Sequence, residues 1–226
     1  MVSLNLSDKY YLKDPQYTEL GIKIISQSIK MIDQLGFEQF TFKKLANEIH
    51  STEASVYRYF ENKHKLLMYL IAWYWKWVEY LIDYKTNNIE DPVRRLEISI
   101  RTLCEEITFD PTFAYIDEAA LHRIVVAESN KTYLTKHVDK DNKLGLFRGY
   151  KDLCAHIARN IKEAVPDYPF PHALISTVLE ASHQQAFFAQ HLPSLTEVQG
   201  DDPNMHNRIY DFLINMIYCA IGEGTK

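Results

Sequence analysis

Apolar residues recur with a helical period along most of this chain, and the breaks between them are sharply punctuated. Leu20, Ile24, Ile25, Ile29, Ile32 and Leu35, with Ser28 among them, form one stripe that stops at Gly36, a residue favoured just past a helix end. Thr41, a hydroxyl N-cap, then opens a short segment in which Phe42, Leu45, Ala46 and Ile49 follow the i, i+3, i+4, i+7 spacing of one buried face. His50 and Ser51 break it. Thr52 can cap a second short segment reaching Phe60, with Val56 and Phe60 on one side and Ser55, Arg58 and Tyr59 largely on others. Asn62 caps a third helix that runs through Leu66 and Leu67 to the neighbourhood of Tyr84. A segment of about eight residues is not a stable helix alone, so Thr52–Phe60 must dock its apolar side and leave its polar side outward.

Further along, proline and capping residues mark the remaining helices. Asp91-Pro92 opens one that ends near Ile107; Asp110-Pro111 opens a region containing Tyr115 to Glu128. After a polar stretch from Ser129 to Lys140, a helix runs from near Lys143 to Ala164, before Pro166. Pro169 and Pro171 precede another to near His191, and Asp202-Pro203 opens the last, ending near Gly222. The prediction is an all-α chain of about nine helices, with a three-helix domain over 1–65 and a larger helical domain over 66–226.

Composition agrees with long helices. Only seven Gly and eight Pro are spread over 226 residues, 46% of which are hydrophobic, and no strand-like alternation or hairpin signal stands out. Cys104, Cys154 and Cys219 lie far apart and mostly within apolar helical patterns, so they read as reduced core residues of a cytoplasmic protein. The N-terminus lacks the pattern of a signal peptide. Leu66–Ile82, the most apolar stretch, is interrupted by Lys76 and Glu79 and is shorter than the ~20 residues that cross a bilayer, so no membrane partner is expected. Residues 1–65 carry nine Lys+Arg against eight Asp+Glu, and residues 66–226 carry sixteen against twenty-two. That asymmetry has the sign of a nucleic-acid-binding head on an acidic body, but it is small.

A helix ending in Leu35-Gly36-Phe37, then Thr41-Phe42-x-x-Leu45-Ala46, then Val56-Tyr57-x-Tyr59-Phe60-x-Asn62-Lys63-x-x-Leu66-Leu67, resembles the tetracycline-repressor (TetR) family of bacterial transcription regulators. The likeness covers about the first 67 residues and is specific, because apolar, aromatic, cap and lysine positions must all agree. It implies a repressor-like regulator and no enzyme, with no cofactor. The second helix of the motif would lie in the major groove of double-stranded DNA while the first crosses the backbone. On this resemblance Thr52, Tyr57, Tyr59 and Lys63 are phosphate contacts, while Ser55 and Arg58 read bases, Arg58 by pairing two donors with guanine. Lys43 and Lys44 either add phosphate neutralisation or are solvated surface.

The chain departs from the family pattern at the turn, where Gly followed by an apolar residue is usual and His50-Ser51 stand instead. His tolerates positive φ better than a β-branched residue, so the turn is expected to form with some strain. Glu53 either accepts from a cytosine amino group or caps its own helix.

The family's second domain is helical, dimeric and ligand-binding, which implies a homodimer on a palindromic operator and a small hydrophobic effector. Ala181, Ser182, Gln185, Ala186 and Ala189, facing an apolar stripe that includes Phe212 and Met216, are the candidate dimer face; the alternative is completion of the monomer core. Trp77, Phe109, Phe113, His122 and Tyr150 are candidate pocket residues, although aromatic residues at helical spacing also serve as plain core. Two other readings differ in class. Glu180-x-x-His183, with Glu118 and His122, has part of the ligand set of a helical-bundle metal oxidase, but the Glu-x-x-His at Glu61 straddles a cap and supplies no second motif. A TetR-like protein with weak DNA binding that acts through a protein partner is the other.

Overall fold

A computed structural model describes residues 4, 6–108, 113 and 115–222. Eleven α-helices lie among the described residues: α1 (Glu19–Leu35), α2 (Phe42–Glu48), α3 (Glu53–Tyr57), α4 (Lys63–Thr86), α5 (Pro92–Cys104), α6 (Glu118–Glu128), α7 (Asn130–Tyr133), α8 (Val138–Lys143), α9 (Arg148–Ala164), α10 (Pro171–His191) and α11 (Met205–Ile221). Short 3-10 turns occupy Pro15–Tyr17 and Pro193–Leu195. The all-α expectation holds. The count exceeds nine because α7 lies in the polar stretch and α8 at its end, where four and six residues are too few to show a period. The Asp110-Pro111 boundary lies outside the described residues.

The caps explain the boundaries. Thr18, Thr41, Thr52 and Asp91 each accept a backbone N–H from the first turn of the helix they precede, and Asn62 Oδ1 accepts from the Lys65 N–H at 2.9 Å. Gly222 ends α11 in the left-handed conformation.

The chain divides into two compact units, Met1–Trp77 with Ile107–Gly149, and Val78–Glu106 with Tyr150–Lys226. In the first unit α1 packs on α2 and α6 around Ile24, Ile25, Ile29, Phe40, Leu45, Val56, Phe60 and Leu66, all fully buried. Gly21 lets α1 approach the preceding turn: a Cβ there would stand 2.3 Å from the Pro15 carbonyl oxygen. The N-terminal arm is tied into the same unit, since Tyr10 donates its hydroxyl to the Leu146 carbonyl at 2.7 Å and the Leu12 N–H reaches the Tyr59 carbonyl at 2.7 Å.

The second unit is built from α5, α10 and α11 packed on one another, with Ile100, Ile175, Val178, Leu179, Leu213 and Ile217 inside. Arg95 stitches its surface, donating to the Ile89 and Glu90 carbonyls, to Asn160 Oδ1 and to Glu163. The Arg101 guanidinium stacks 3.8 Å from the Tyr210 ring centroid.

Candidate nucleic-acid interface

The turn between α2 and α3 decides whether the short helices can work as a pair. Among the described residues His50 is the one non-glycine with positive φ, at 52°. Around it the Ser51 N–H bonds the Ala46 carbonyl at 2.8 Å and the His50 N–H bonds the Asn47 carbonyl at 3.2 Å. These are the 6→1 and 5→2 bonds of a Schellman motif with histidine at the position usually given to glycine. The orphan carbonyls at the end of α2 are thereby satisfied, and the chain reverses at once into the Thr52 cap of α3.

Thr52 Oγ1 accepts the Ser55 N–H at 3.2 Å and lies 2.8 Å from Ser55 Oγ, so the first turn of α3 is held by side chains on its outer side. Val56 is fully buried, while Thr52, Glu53, Tyr57 and Arg58 are exposed. Tyr57 is 46% accessible and leans edge-on against Phe42 with ring centroids 5.0 Å apart, which fixes its direction at low entropic cost. Lys43 and Lys44 are exposed on the first turn of α2, Lys44 Nζ donating to the Gln39 carbonyl at 2.9 Å.

Two sequence-predicted contacts are turned inward. The helix reaches only Tyr57, shorter than the expected Thr52–Phe60, and the tighter backbone that follows rotates Tyr59 into the core at 3% exposure. Its hydroxyl lies 2.8 Å from Thr18 Oγ1, the cap of α1, and Lys13 Nζ sits 5.1 Å from its ring centroid. Lys63 Nζ donates to the carbonyls of Phe37, Glu38 and Phe40 at 3.0, 3.1 and 3.2 Å, and sits 4.7 Å from the Phe37 ring centroid. All three ammonium donors are therefore engaged by the loop that joins α1 to α2. Nothing local in the sequence marks Lys63 for this, because its acceptors lie 23 to 26 positions away.

The candidate pocket residues are placed as follows. Trp73 and Trp77 are stacked at a 16° interplanar angle, Phe113 meets Trp73 edge-on at 5.3 Å, and Tyr74 Oη lies 2.8 Å from His122 Nδ1. Burial raises the Tyr74 phenol above its ordinary range. Trp77 Nε1 is buried without an acceptor among the described residues. Phe109 lies outside the described residues. Tyr150, in the second unit, donates its hydroxyl to Glu180 Oε1 at 3.0 Å.

Residues 24–70, which run from within α1 to the first turns of α4, match the family model of bacterial regulatory proteins, tetR family. Over these residues the chain is similar to the TetR family.

The chain also shares its fold with solved structures, at low identity. AibR in complex with isovaleryl coenzyme A and operator DNA superposes with a TM-score of 0.56 at 15% identity, covering 85% of this chain and 95% of that one. The ketosteroid transcriptional regulator KstR2 of Mycobacterium tuberculosis gives 0.54 at 12%, covering 100% of both chains. The superantigen PfiT gives 0.58 at 14%, covering 89% and 97%. No curated protein sequence matches this chain.

Within the second unit, Phe212 is 48% exposed on α11 and Met216 is half-buried; Ala181, Gln185 and Ala186 on α10 are half-buried. Ser182 and Ala189 depart from the expected outward face, each being 4% exposed within its own unit. Ser182 bonds the Leu179 carbonyl at 2.8 Å, and the 192–204 segment covers Ala189 so closely that a Cβ on Gly200 would stand 2.8 Å from the Ala189 carbonyl oxygen. The cysteines also differ from expectation: Cys104 and Cys154 are buried, but Cys219 is exposed. Burial pushes the Cys104 thiol up to about 12. Among the described residues no group of three His, Cys, Asp or Glu side chains is placed to hold a metal ion, and no helix is long and apolar enough to cross a membrane.

Proposed function

We propose that this chain is a DNA-binding transcriptional regulator, a repressor released by a small hydrophobic effector, with DNA reading in residues 1–65 and effector binding and dimerisation in 66–226. The observation that carries the reading is the completed helix-turn-helix, whose Schellman turn at His50 sets a capped α3 with its polar side outward. Arg58 and Ser55 read bases; Thr52, Tyr57, Lys43 and Lys44 meet phosphates and fix register. Tyr59 and Lys63 serve the same interface from inside, holding the arm and the α1–α2 loop.

A helix presented by one subunit reads one half-site, so a homodimer on a palindromic operator is the arrangement that uses it, with Phe212 and Met216 at the subunit contact. The stacked tryptophans, Phe113 and the Tyr74–His122 pair supply the apolar lining with a few polar groups that a hydrophobic effector needs. The operator-bound, isovaleryl coenzyme A-bound state of AibR is the precedent within the fold for one protein engaging both kinds of ligand. No catalytic role is proposed.

The test is selection of bound sequences from a random duplex pool by the full chain and by Arg58→Ala. Recovery of a palindrome, with preference for one guanine relaxed in Arg58→Ala, is the expected result; removing a bidentate base contact costs about 1–3 kcal/mol of discrimination. No enrichment at low salt refutes the regulator reading.

One observation favours a second reading. With the Lys63 ammonium and the Tyr59 hydroxyl both engaged internally, the outward face of α2 and α3 keeps few cationic groups beside Glu53, which suits weak DNA binding and action through a protein partner. A shallow salt dependence of DNA affinity distinguishes it.

A further inference from the structure

The C-terminal half of α6 and the start of α7 reach the end of α1 and the residues just after it through three charged side chains. Arg123 binds Asp33 with two bonds, Nε to Oδ1 at 2.9 Å and Nη2 to Oδ2 at 2.8 Å. Glu128 Oε1 accepts the Phe37 N–H at 3.2 Å. Lys131 Nζ lies 2.7 Å from Glu128 Oε2 and 3.1 Å from Glu38 Oε1.

The middle contact is the unusual one. Phe37 follows the Gly36 cap, is buried, and has an N–H for which α1 provides no acceptor. Glu128 is a buried carboxylate, 8% exposed, which costs free energy in an apolar surrounding unless it is bonded and paired. It answers the orphan N–H and is itself answered by Lys131. The same four-residue loop, Phe37 to Phe40, gives its carbonyls to Lys63. Thr41, the cap of α2, follows directly. The loop is thus gripped on its N–H side by α6 and on its carbonyl side by α4, and the placement of α2 and α3 depends on both grips.

We infer that Glu128 is a positioning residue for DNA recognition: from helix α6, and without touching DNA, it sets where the helix-turn-helix sits by holding the Phe37 amide. This rests on the regulator reading above. A bond that positions contacts without making one changes affinity while leaving the number of neutralised phosphates alone. A bond that only adds stability changes the unfolding midpoint and leaves affinity alone at temperatures well below it.

The experiment compares the full-length wild type, Glu128→Ala and Glu128→Gln. Amide exchange at Phe37 is followed in the free proteins, and affinity for the selected duplex is titrated across salt concentrations, well below the unfolding midpoint of the least stable variant. The expected result for Glu128→Ala is Phe37 exchange at least ~10-fold faster and affinity down ~10-fold, with an unchanged slope of log K against log salt. Glu128→Gln keeps an oxygen acceptor for the Phe37 N–H, and its affinity stays within ~3-fold of wild type. Wild-type affinity in Glu128→Ala, or an equal loss in both variants, overturns the inference. If the wild type itself binds no duplex, the regulator reading fails and the positioning role with it, whereas Phe37 exchange still decides whether the Glu128 bond forms.

Discussion

Replacing Lys63 with methionine separates the phosphate contact that the resemblance implies from the inward role that its hydrogen bonds give it. In the structure its Nζ makes three bonds of 3.0–3.2 Å to the Phe37, Glu38 and Phe40 carbonyls and sits over the Phe37 ring. Charge-assisted hydrogen bonds contribute about 1.5–3 kcal/mol when isolated, but one ammonium shared among three carbonyls, and half-exposed, does not deliver three such terms. A net loss of about 2–3 kcal/mol is expected for Lys63→Met, including about 0.5–1 kcal/mol from the cation–π contact. For a chain of this length each kcal/mol shifts the thermal midpoint by roughly 2–4 °C, so a fall of about 5–10 °C should appear in a calorimetric or circular-dichroism melt. On DNA the two roles diverge. A lysine that neutralises a phosphate steepens the slope of log K against log salt by about 0.9 per subunit, so Lys43→Met is expected to flatten the slope by that amount and Lys63→Met to leave it alone. Should Lys63→Met melt like the wild type and flatten the slope by about one unit, the ammonium faces phosphate and the inward assignment is wrong.

Other substitutions test other parts of the argument. His50→Gly relieves a left-handed histidine and should stabilise the chain by about 1 kcal/mol in thermal or denaturant unfolding, the greater freedom of glycine in the unfolded state offsetting part of the gain; a lower midpoint would show that the imidazole makes a contact worth more than the strain. Gly21→Ala places a methyl 2.3 Å from the Pro15 carbonyl oxygen and should cost about 1–3 kcal/mol in the same assay, as overpacking does; no change would mean the Pro15 turn moves freely. Phe212→Glu should convert a dimer to monomer in light scattering and leave helical content unchanged, since Phe212 is exposed in the single chain; a persistent dimer would place the subunit contact elsewhere.

The helices with chemical punctuation at their ends were readable from sequence, because a cap or a proline acts within four residues of itself. Thr41, Thr52, Asn62, Asp91 and Gly222 each stand where the pattern puts them, and His50 adopts the positive φ that the turn demands. The helices α7 and α8 were hidden, being too short to repeat a period and dependent on packing for their existence. The inward turn of Tyr59 follows from α3 ending three residues early, a shift within the ordinary uncertainty of a helix boundary read from sequence that swings a side chain to the other face. Ser182 and Ala189 show a different limit. Small residues on a helix permit close approach by any neighbour, and here the chain's own 192–204 segment occupies the place where a second subunit was expected at Ala189.

The tether between Tyr10 and Leu146 bears on how this protein comes off the ribosome. The first compact unit is discontinuous, and its earliest residues find a partner 136 positions later, while α1 meets Arg123 only after another 90 residues have been made. Loop closure over such spans is slow relative to local helix formation. The helix-turn-helix emerges early with its arm and the outer side of α1 still uncovered. It therefore passes part of synthesis as an incomplete surface, open to chaperones, and acquires its finished form only once Leu146 has been translated.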